Sequence, residues 1–359
     1  MLTIDQFDYH LPDGKIAQRP ISPRDHSRMM IVDCQQQQIF HDRLFKDLPD
    51  VINQNTVLVR NNTKVIPARI VGQKNTGGKQ ELLLLNTIAV ENQQEVWTCL
   101  TKPGLKPGRT VEFDAGLSGR CLKINGYTRQ IKFNQAGRKL MTSLHQIGQT
   151  PTPPYIDWQK DDEQALRRQY QTTYAKIKGS AAAPTAGLHF TPELDQILAK
   201  KGVECCEVTL HVGLGTFQPV KTKHIKNHQM HSEQFQLSSS AAAKLNQAKQ
   251  SGKKIIAVGT TTTRVLESCT DSKGKLTARS GQTDIFIYPG CRFKFIDGLI
   301  TNFHLPQSTL LMLITAFCSS PNTNHQFHQF DQTIVGQAYQ QAIERGYRFY
   351  SFGDAMLLI

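Results

Sequence analysis

Apolar and polar residues follow two patterns along most of the chain, one typical of buried strands and one typical of helices. Three short apolar runs are typical of buried strands: Met29 to Asp33, Val57 to Arg60 and Ile255 to Val258. We interpret three further segments as strands in the same way: CCEVTLHVG, DIFIY and FKFIDGLITNF. Helices are predicted between these runs, over residues 45–52, 163–170, 192–201, 240–251, 308–317 and 339–344. Strands that alternate with helices predict an α/β domain with a mixed or mainly parallel sheet.

The stretch from residue 65 to about residue 148 has a different pattern. It consists of short β-type segments separated by Gly and Asn turns, and no helical period is visible: VIPARIVG, ELLLLNTIAV, EVWTCL, TVEF, GRCLKI and RQIKF. Several short strands at this spacing predict a small antiparallel β-barrel. We therefore expect a discontinuous α/β catalytic domain, made of residues 1–64 and 151–359, into which a β-barrel domain of residues 65–150 is inserted.

Length and composition narrow the class of protein. A chain of 359 residues with 39% hydrophobic residues suits a globular protein of two domains. No apolar run is long enough to span a bilayer, and the polar start MLTIDQFDYHLPDG is not a signal peptide. None of the eight cysteines lies in a CxxC pair, so we expect them to be free and often buried. We expect a cytoplasmic monomer that does not enter a membrane.

The charge balance favours a polyanionic partner. Lys and Arg number 42 and Asp and Glu number 29, which leaves a net charge of +13. The alternative is that the charges form solvated faces that help solubility. Three local clusters are candidates for contact with such a partner: Lys102, Lys106 and Arg109; Arg167, Arg168, Lys176 and Lys178; and Lys221, Lys223 and Lys226.

The segment IIAVGTTTTRVLE predicts a strand, a tight turn and a helix that begins with four threonines and an arginine. A helix start presents free backbone N–H groups and the positive end of the helix dipole. Hydroxyls and an arginine added there would suit a ribose, a phosphate or a carboxylate. The alternative is that one threonine caps the helix and the others satisfy loop backbone.

Five polar, glycine-containing loops follow predicted strands, and ligand sites in open α/β folds lie at such strand ends. None is a nucleotide fingerprint, because the chain has neither a complete GxGxxG nor a GxxxxGK[ST] motif. The loops are GSAAAPTAGLHFT (179–191), TLHVGLGTFQPV (209–220), HQMHSEQF (228–235), VGTTTTR (258–264) and TNFHLPQST (301–309).

Histidines and carboxylates in these loops allow two kinds of chemistry. His228, His231 and Glu233 could hold a metal, but the H-x-E pattern at 231–233 lacks the PCxxC half of a zinc deaminase site, so we expect no metal. The other reading is acid–base work by histidines on a polar substrate. Among the carboxylates, Glu267 is expected to pair with Arg264, one turn away on the helix.

At these residues the sequence resembles the S-adenosylmethionine:tRNA ribosyltransferase-isomerase family of queuosine biosynthesis. The five loops carry the resemblance, together with TDIFIYPG, DGLITNFHLPQSTLLMLITAF, YRFYSFGDAMLLI, DYHLPDGKIAQRP and VLVRNNTKVIPARI. These motifs run in order from one end of the chain to the other. Small departures occur at Thr262, where family members often have serine, and at Ala182, where they often have valine.

The resemblance implies a reaction on tRNA that carries 7-aminomethyl-7-deazaguanine (preQ1) at the wobble position. The ribosyl unit of S-adenosylmethionine (AdoMet), the co-substrate, would be transferred to that amine and isomerised. Epoxyqueuosine would form, and adenine and methionine would leave. Because the sulfonium makes the adjacent C5′ hydrogens acidic, a base must remove one, and an acid must protonate adenine as it departs.

Roles for individual residues follow from the resemblance as expectations. Glu233 or His211 would be the C5′ base. His189 or His231 would be the acid towards adenine. The ribose or the methionine carboxylate of AdoMet would be held by the helix start, which consists of Thr260, Thr261, Thr262, Thr263 and Arg264. Gly213, Gly215 and Thr216 are further AdoMet contacts. Asn302 and His304 would shape the pocket or meet the deazaguanine.

Two alternatives stay open beside this reading. A basic protein with a small β-barrel could be an RNA-binding module without chemistry, although no RNP-type aromatic motif is present. A metal-dependent nucleobase-modifying hydrolase or deaminase would use the histidine loops, although it lacks the cysteine pair.

Overall fold

The structure is a computed structural model that describes residues 2–153, 155–157, 163–213, 220 and 222–359. It has the following strands in chain order: β1 (Arg28–Asp33), β2 (Gln38–Leu44), β3 (Thr56–Asn61), β4 (Thr63–Val65), β5 (Arg69–Lys74), β6 (Lys79–Glu91), β7 (Gln94–Lys102), β8 (Thr110–Glu112), β9 (Ser118–Asn125), β10 (Thr128–Phe133), β11 (Ile177–Ser180), β12 (Glu204–Leu210), β13 (Glu233–Leu237), β14 (Lys254–Val258), β15 (Arg279–Thr283), β16 (Gly298–Asn302) and β17 (Ala355–Leu358).

The helices lie mostly between these strands. They are α1 (Gly137–Ile147), α2 (Glu163–Gln169), α3 (Pro192–Lys200), α4 (Ser239–Gln250), α5 (Thr260–Cys269), α6 (Thr309–Phe317) and α7 (Ile334–Glu344). Side chains that accept a backbone N–H at the first turn explain several of the starts. Thr191 caps α3, Ser238 caps α4 and Ser308 caps α6. None of the described helices has the length and apolar character needed to cross a membrane.

Nine strands form one large mixed sheet, in the order β15-β13-β12-β3-β14-β16-β17-β1-β2. Strands β12, β3, β14 and β16 are parallel neighbours, whereas β13 runs antiparallel to β12 and β17 runs antiparallel to β16. The predicted α/β class with a mixed sheet is confirmed. The carboxyl ends of the four parallel strands therefore meet at one edge, where β13 and β17 begin.

Hydrophobic cores cover both faces of this sheet. Successive residues of β14 contribute to different clusters, because strand side chains alternate in direction. Ile255 and Ala257 pack into one core, and Ile256 and Val258 pack into the other. A strand buried on both faces is mostly apolar, which accounts for the continuous run from Ile255 to Val258.

A separate antiparallel sheet is built from β5 to β10, within the region where the sequence predicts only strands. Its pairing order is β10-β7-β6-β5-β8-β9, and it encloses a core of its own that includes Leu82, Trp97 and Ile131. Helix α1 follows it, which corrects the expectation that this region contains no helix. Its apolar residues recur at helical spacing and pack on the core of the antiparallel sheet: Leu140, Met141, Leu144 and Ile147.

Other local predictions were wrong for identifiable reasons. Residues 45–50 form a six-residue 3-10 helix with Pro49 inside, instead of a helix that continues to residue 52. The segment DIFIY is not a strand. Strand β15 precedes it and ends at Thr283, so Asp284 follows a strand instead of beginning one.

Cys34 and Cys318 correct the expectation that all cysteines are free. They form a disulfide across 284 residues of sequence. Cys34 directly follows β1 and Cys318 directly follows α6, and both side chains are buried. The other six cysteines are free. Sequence spacing does not reveal a pairing of this kind, because only the packed fold brings these two ends together.

Candidate functional site

The loops predicted to carry chemistry meet at the edge where the parallel strands end. Three adjoining cavities lie there. The first is bounded by Thr185, Thr260, Asn302 and His304, and the second by His228, Thr260, Arg264 and Glu233. The third is bounded by His211, His231, Glu233 and Tyr127, with Leu85 and Thr98 of the antiparallel sheet. Shared lining residues make them neighbours.

The threonine run begins helix α5 directly after β14. Gly259 has φ of +89°, which favours glycine at this turn, and no side chain caps the helix. The Thr262 hydroxyl donates to the Val258 carbonyl at 2.7 Å, and the Thr263 hydroxyl donates to the Gly259 carbonyl at 3.3 Å. Two of the four threonines therefore satisfy backbone, as the alternative interpretation expects.

The first two threonines face the cavities instead. The amide of Asn61, at the end of β3, donates to the Thr261 hydroxyl at 3.2 Å. Among the described residues, the Thr260 hydroxyl has no hydrogen-bond partner, and Thr260 lines both the first and the second cavity. The cavity-facing part of the run is thus Thr260 and Thr261.

A buried ion pair links the threonine helix to β13. The Arg264 guanidinium donates to one carboxylate oxygen of Glu233, and the Gly213 N–H donates to the other at 2.9 Å. Both side chains are almost fully buried. This ion pair joins the start of α5 to the start of β13 and forms part of the wall of the second cavity.

Arg264 does not pair with Glu267, so that prediction was wrong. Glu267 instead accepts backbone N–H groups of Lys294 at 2.7 Å and Phe295 at 3.1 Å. Burial raises the pKa of the Glu267 carboxyl, and these donors oppose that rise. A carboxylate that is satisfied by backbone anchors the chain before β16 and has no need of the arginine.

Asn302 is held in the wall of the first cavity by a buried network. Its amide nitrogen donates to Nε2 of His189 at 3.0 Å, and its carbonyl oxygen accepts from the Thr185 hydroxyl at 2.9 Å. The other nitrogen of His189, Nδ1, lies 2.7 Å from the Ser27 hydroxyl. The Ser27 contact therefore fixes the His189 ring, and the other ring nitrogen accepts from Asn302.

Two histidines near the first cavity are held neutral by burial. Burial, with smaller contributions from Arg348 and Arg24, lowers the pKa of His189 to about 3. Burial lowers the pKa of His304 to about 3 as well, and its Nε2 lies 2.8 Å from the Thr301 hydroxyl. Near neutral pH the His189 ring is therefore neutral, and it is held between Ser27 and Asn302.

His211 differs from these two in the third cavity. It directly follows β12, and its Nδ1 lies 2.7 Å from the Thr63 hydroxyl, while Gly179 packs against the ring. Burial lowers its pKa, which favours the neutral form that a base needs. No partner for Nε2 is present in the described part of the chain. The tautomer with its proton on Nδ1 leaves the Nε2 lone pair available.

His231 lies where the second and third cavities meet. The Tyr127 hydroxyl, from the turn between β9 and β10, is 2.5 Å from its Nδ1, and the two rings meet edge to face. Burial lowers the pKa of His231, and the charge of Glu233 partly offsets that effect. Of the candidate histidines, His231 is the one that connects the large sheet with the antiparallel sheet.

The structure brings most of the predicted residues to one place and adds several that the sequence analysis missed. Gly215 and Thr216 lie outside the described residues. The additions are Ser27, Asn61, Thr63, Thr185 and Tyr127. Asn61 carried a signal that could have been used, because it is a polar residue inside a strand whose six residues are all buried. Across the described residues, no group of three or more His, Cys, Asp or Glu could hold a metal ion.

The family model, the named proteins and the solved structure that are similar to this chain all concern one enzyme family. The family model described as a queuosine biosynthesis protein matches residues 4–358. A protein of Desulfitobacterium hafniense (strain DSM 10664 / DCB-2), named S-adenosylmethionine:tRNA ribosyltransferase-isomerase, is 48% identical over 100% of both chains. A protein of that name from Clostridioides difficile (strain 630) is 46% identical over 98% of both. The crystal structure of S-adenosylmethionine tRNA ribosyltransferase from Thermotoga maritima is 35% identical, covers 99% of this chain and 100% of that one, and has a TM-score of 0.54.

Proposed function

The chain belongs to the queuosine biosynthesis protein family, and on that premise we propose that it is an S-adenosylmethionine:tRNA ribosyltransferase-isomerase. The observation that carries the proposal is the convergence of separate polar loops on three adjoining cavities at one sheet edge. Neither an RNA-binding module without chemistry nor a metal-dependent hydrolase is supported by the relatives.

AdoMet is assigned to the first and second cavities. Hydroxyls of Thr260 and Thr261 suit the ribose, and the Asn302 amide with its buried support suits a polar group that must be held in a fixed direction. These cavities would therefore bind AdoMet through neutral donors and acceptors at a helix start. They would not need the glycine-rich loop that AdoMet-dependent methyltransferases have. Thr262 and Thr263 are left out of this assignment because their hydroxyls bond to backbone.

The modified base of tRNA is assigned to the third cavity. This cavity lies between the large sheet and the antiparallel sheet, and the half-exposed ring of Tyr127 stands at its side. RNA-binding proteins stack unpaired bases on aromatic rings of this kind. We assign His211 as the base that removes a C5′ proton next to the sulfonium, because burial favours its neutral form and its Nε2 has no partner among the described residues.

His231 is assigned to proton transfer to the departing adenine, in place of His189. Glu233 and Arg264 are assigned to shaping the second cavity, with the charge of each balanced by the other.

The proposal includes the division of the chain into two domains, residues 1–64 with 151–359 and residues 65–150. It also includes a closed barrel for the smaller domain. The pairing of β10 with both β7 and β9 supports closure, because it joins the two ends of the strand order. A monomer that acts in the cytoplasm completes it.

Adenine release tests the function. The purified protein is incubated with AdoMet and with tRNA that carries 7-aminomethyl-7-deazaguanine, and free adenine is measured against the same tRNA with guanine at that position. We expect release only with the modified tRNA. Release from both tRNAs, or from neither, contradicts the proposal, and release that a chelator abolishes would favour metal-dependent chemistry.

A further inference from the structure

A basic cleft lies on the two-stranded ribbon formed by β4 and β11, next to the third cavity. Thr63 of β4 bonds to His211, and the next residue, Lys64, lines the cleft. Lys178 of β11 is the strand partner of Lys64, and Gly179 beside it packs against the His211 ring. Because successive residues of a strand point to opposite faces, one face of the ribbon supports His211 and the other presents lysines.

Lys64 and Arg168 line this cleft, and Lys178 lies beside Lys64 as its strand partner. Within the described ranges, the side chains of Lys64, Arg168 and Lys178 have no carboxylate partner. Two neighbouring arginines are used structurally. Arg24 donates to the backbone carbonyls of Gln171 and Arg168, both at 2.6 Å, and Arg167 donates to Glu163 at 2.8 Å. The free cations are thus presented on a fixed wall.

A buried hydroxyl also lines the cleft without a partner. Thr172 is only 4% exposed, and its hydroxyl has no hydrogen-bond partner among the described groups. Such an orphan group is uncommon in native proteins and marks a place where a ligand or water supplies the partner. His145 lies in the same wall. Its pKa is lowered by burial and then by Lys178, Arg167 and Lys64, so the positive field of these side chains converges there.

We infer that this cleft binds phosphodiester groups of the RNA substrate, beside the nucleotide that enters the third cavity. The inference rests on the proposed function and adds to it the surface that holds the RNA backbone. Ammonium and guanidinium groups donate charge-assisted hydrogen bonds to phosphate oxygens, and a threonine hydroxyl adds a neutral donor. The ribbon then has two functions, since one face orients His211 and the other holds the backbone of the same substrate.

Two variants with equal charge loss test this surface. The cleft variant carries Lys64→Gln, Arg168→Gln and Lys178→Gln. The control variant carries Lys200→Gln, Lys273→Gln and Lys275→Gln, which are exposed lysines outside the cleft and outside the three basic clusters. We measure KM for the modified tRNA from 50 to 200 mM salt, and KM for AdoMet at saturating tRNA.

The cleft variant should raise KM for tRNA about tenfold or more near 0.15 M salt and reduce the slope of log KM against log salt by about 2, as expected for up to three lost phosphate contacts. KM for AdoMet should stay as in the unchanged protein. The control variant should shift both tRNA measurements much less. Equal effects in the two variants, or none in the cleft variant, overturn the inference.

Direct binding separates this inference from the proposed function. Fluorescence anisotropy of labelled tRNA with the full chain measures affinity without turnover. A protein that releases no adenine contradicts the proposed function, whereas one that releases adenine with an unaffected cleft variant contradicts only this inference. Thr172→Val, which removes a neutral donor, should weaken tRNA binding a few-fold without changing the salt slope. A variant that binds as tightly as the unchanged protein argues against Thr172 as a contact.

Discussion

The first and third cavities each have a histidine beside them from a polar loop that follows a strand, yet the two histidines are held in opposite ways. At the first cavity, His189 has hydrogen bonds at both nitrogens, to Ser27 and Asn302. At the third cavity, His211 has one nitrogen bonded to Thr63 and one without a partner among the described residues. Residue type and position at a strand end are therefore insufficient to assign catalysis. The decisive feature is which nitrogen stays open towards a cavity.

The difference follows from what surrounds each ring. His189 is enclosed by elements from distant parts of the chain and is only 4% exposed, so its charged form is strongly disfavoured. His211 is half-buried and borders a cavity that is open to the antiparallel sheet. We interpret the first cavity as a rigid wall that orients a ligand and the third as the place where protons move.

The largest expected effect is the loss of the base. His211→Gln should lower kcat by about 10²- to 10⁴-fold, the range in which a positioned acid or base contributes, with AdoMet and tRNA binding little changed. Single-turnover adenine release and tRNA anisotropy measure the two quantities. His189→Gln is the matched histidine variant and should mainly raise KM for AdoMet. A kcat of His211→Gln within threefold of the unchanged protein would remove His211 from the base role.

The second effect concerns the pair between Glu233 and Arg264. Glu233→Gln leaves the arginine buried without a counter-charge, which typically costs about 3–5 kcal/mol of unfolding free energy. Glu233→Gln combined with Arg264→Met should recover much of that loss, because no unpaired charge remains. Urea unfolding measures both. If Glu233→Gln is as stable as the unchanged protein and abolishes turnover, Glu233 and not His211 is the base.

The third effect is a dependence of stability on pH. His189 and His304 have a pKa of about 3 in the folded protein against an ordinary value of 6.5. Between these values only the unfolded chain binds the proton, so the unfolding free energy falls as the pH drops from 6.5 towards 3, by about 1.4 kcal/mol per pH unit for each histidine. Urea unfolding at pH 6.5 and 4.5 should show a shallower fall for His189→Gln. An unchanged slope would mean that His189 is protonated in the folded protein.

The smallest effect separates the threonines of the helix start. Thr260→Val should raise KM for AdoMet about five- to tenfold, the equivalent of one hydrogen bond of roughly 1–1.4 kcal/mol. Thr262→Val should leave KM for AdoMet unchanged and lower stability by about 1 kcal/mol, because its hydroxyl bonds only to the Val258 carbonyl. Equal KM values for the two variants would show that the run does not divide into a ligand part and a backbone part.

Sequence patterns predicted local features well and remote pairings poorly. The Thr191 cap with Pro192 behind it, the strand predicted at Val57 to Arg60 and the helix after Gly259 follow from short-range patterns and were confirmed. Helix α1 was missed although Leu140, Leu144 and Ile147 have helical spacing, because the region before it contains only strands. The strand predicted at DIFIY was misplaced because apolar runs also occur in irregular segments that pack against a core.

The candidate site shows the same division. Polar loops at strand ends, the excess of basic residues and the threonine run are visible in the chain alone, because each depends on neighbours in sequence. The tertiary structure alone decided that Arg264 pairs with Glu233 instead of Glu267, that His189 supports Asn302, and that His211 keeps a nitrogen open. Those contacts join residues 31, 113 and 148 positions apart. The order of strands in the sheet sets them, and no local pattern encodes that order.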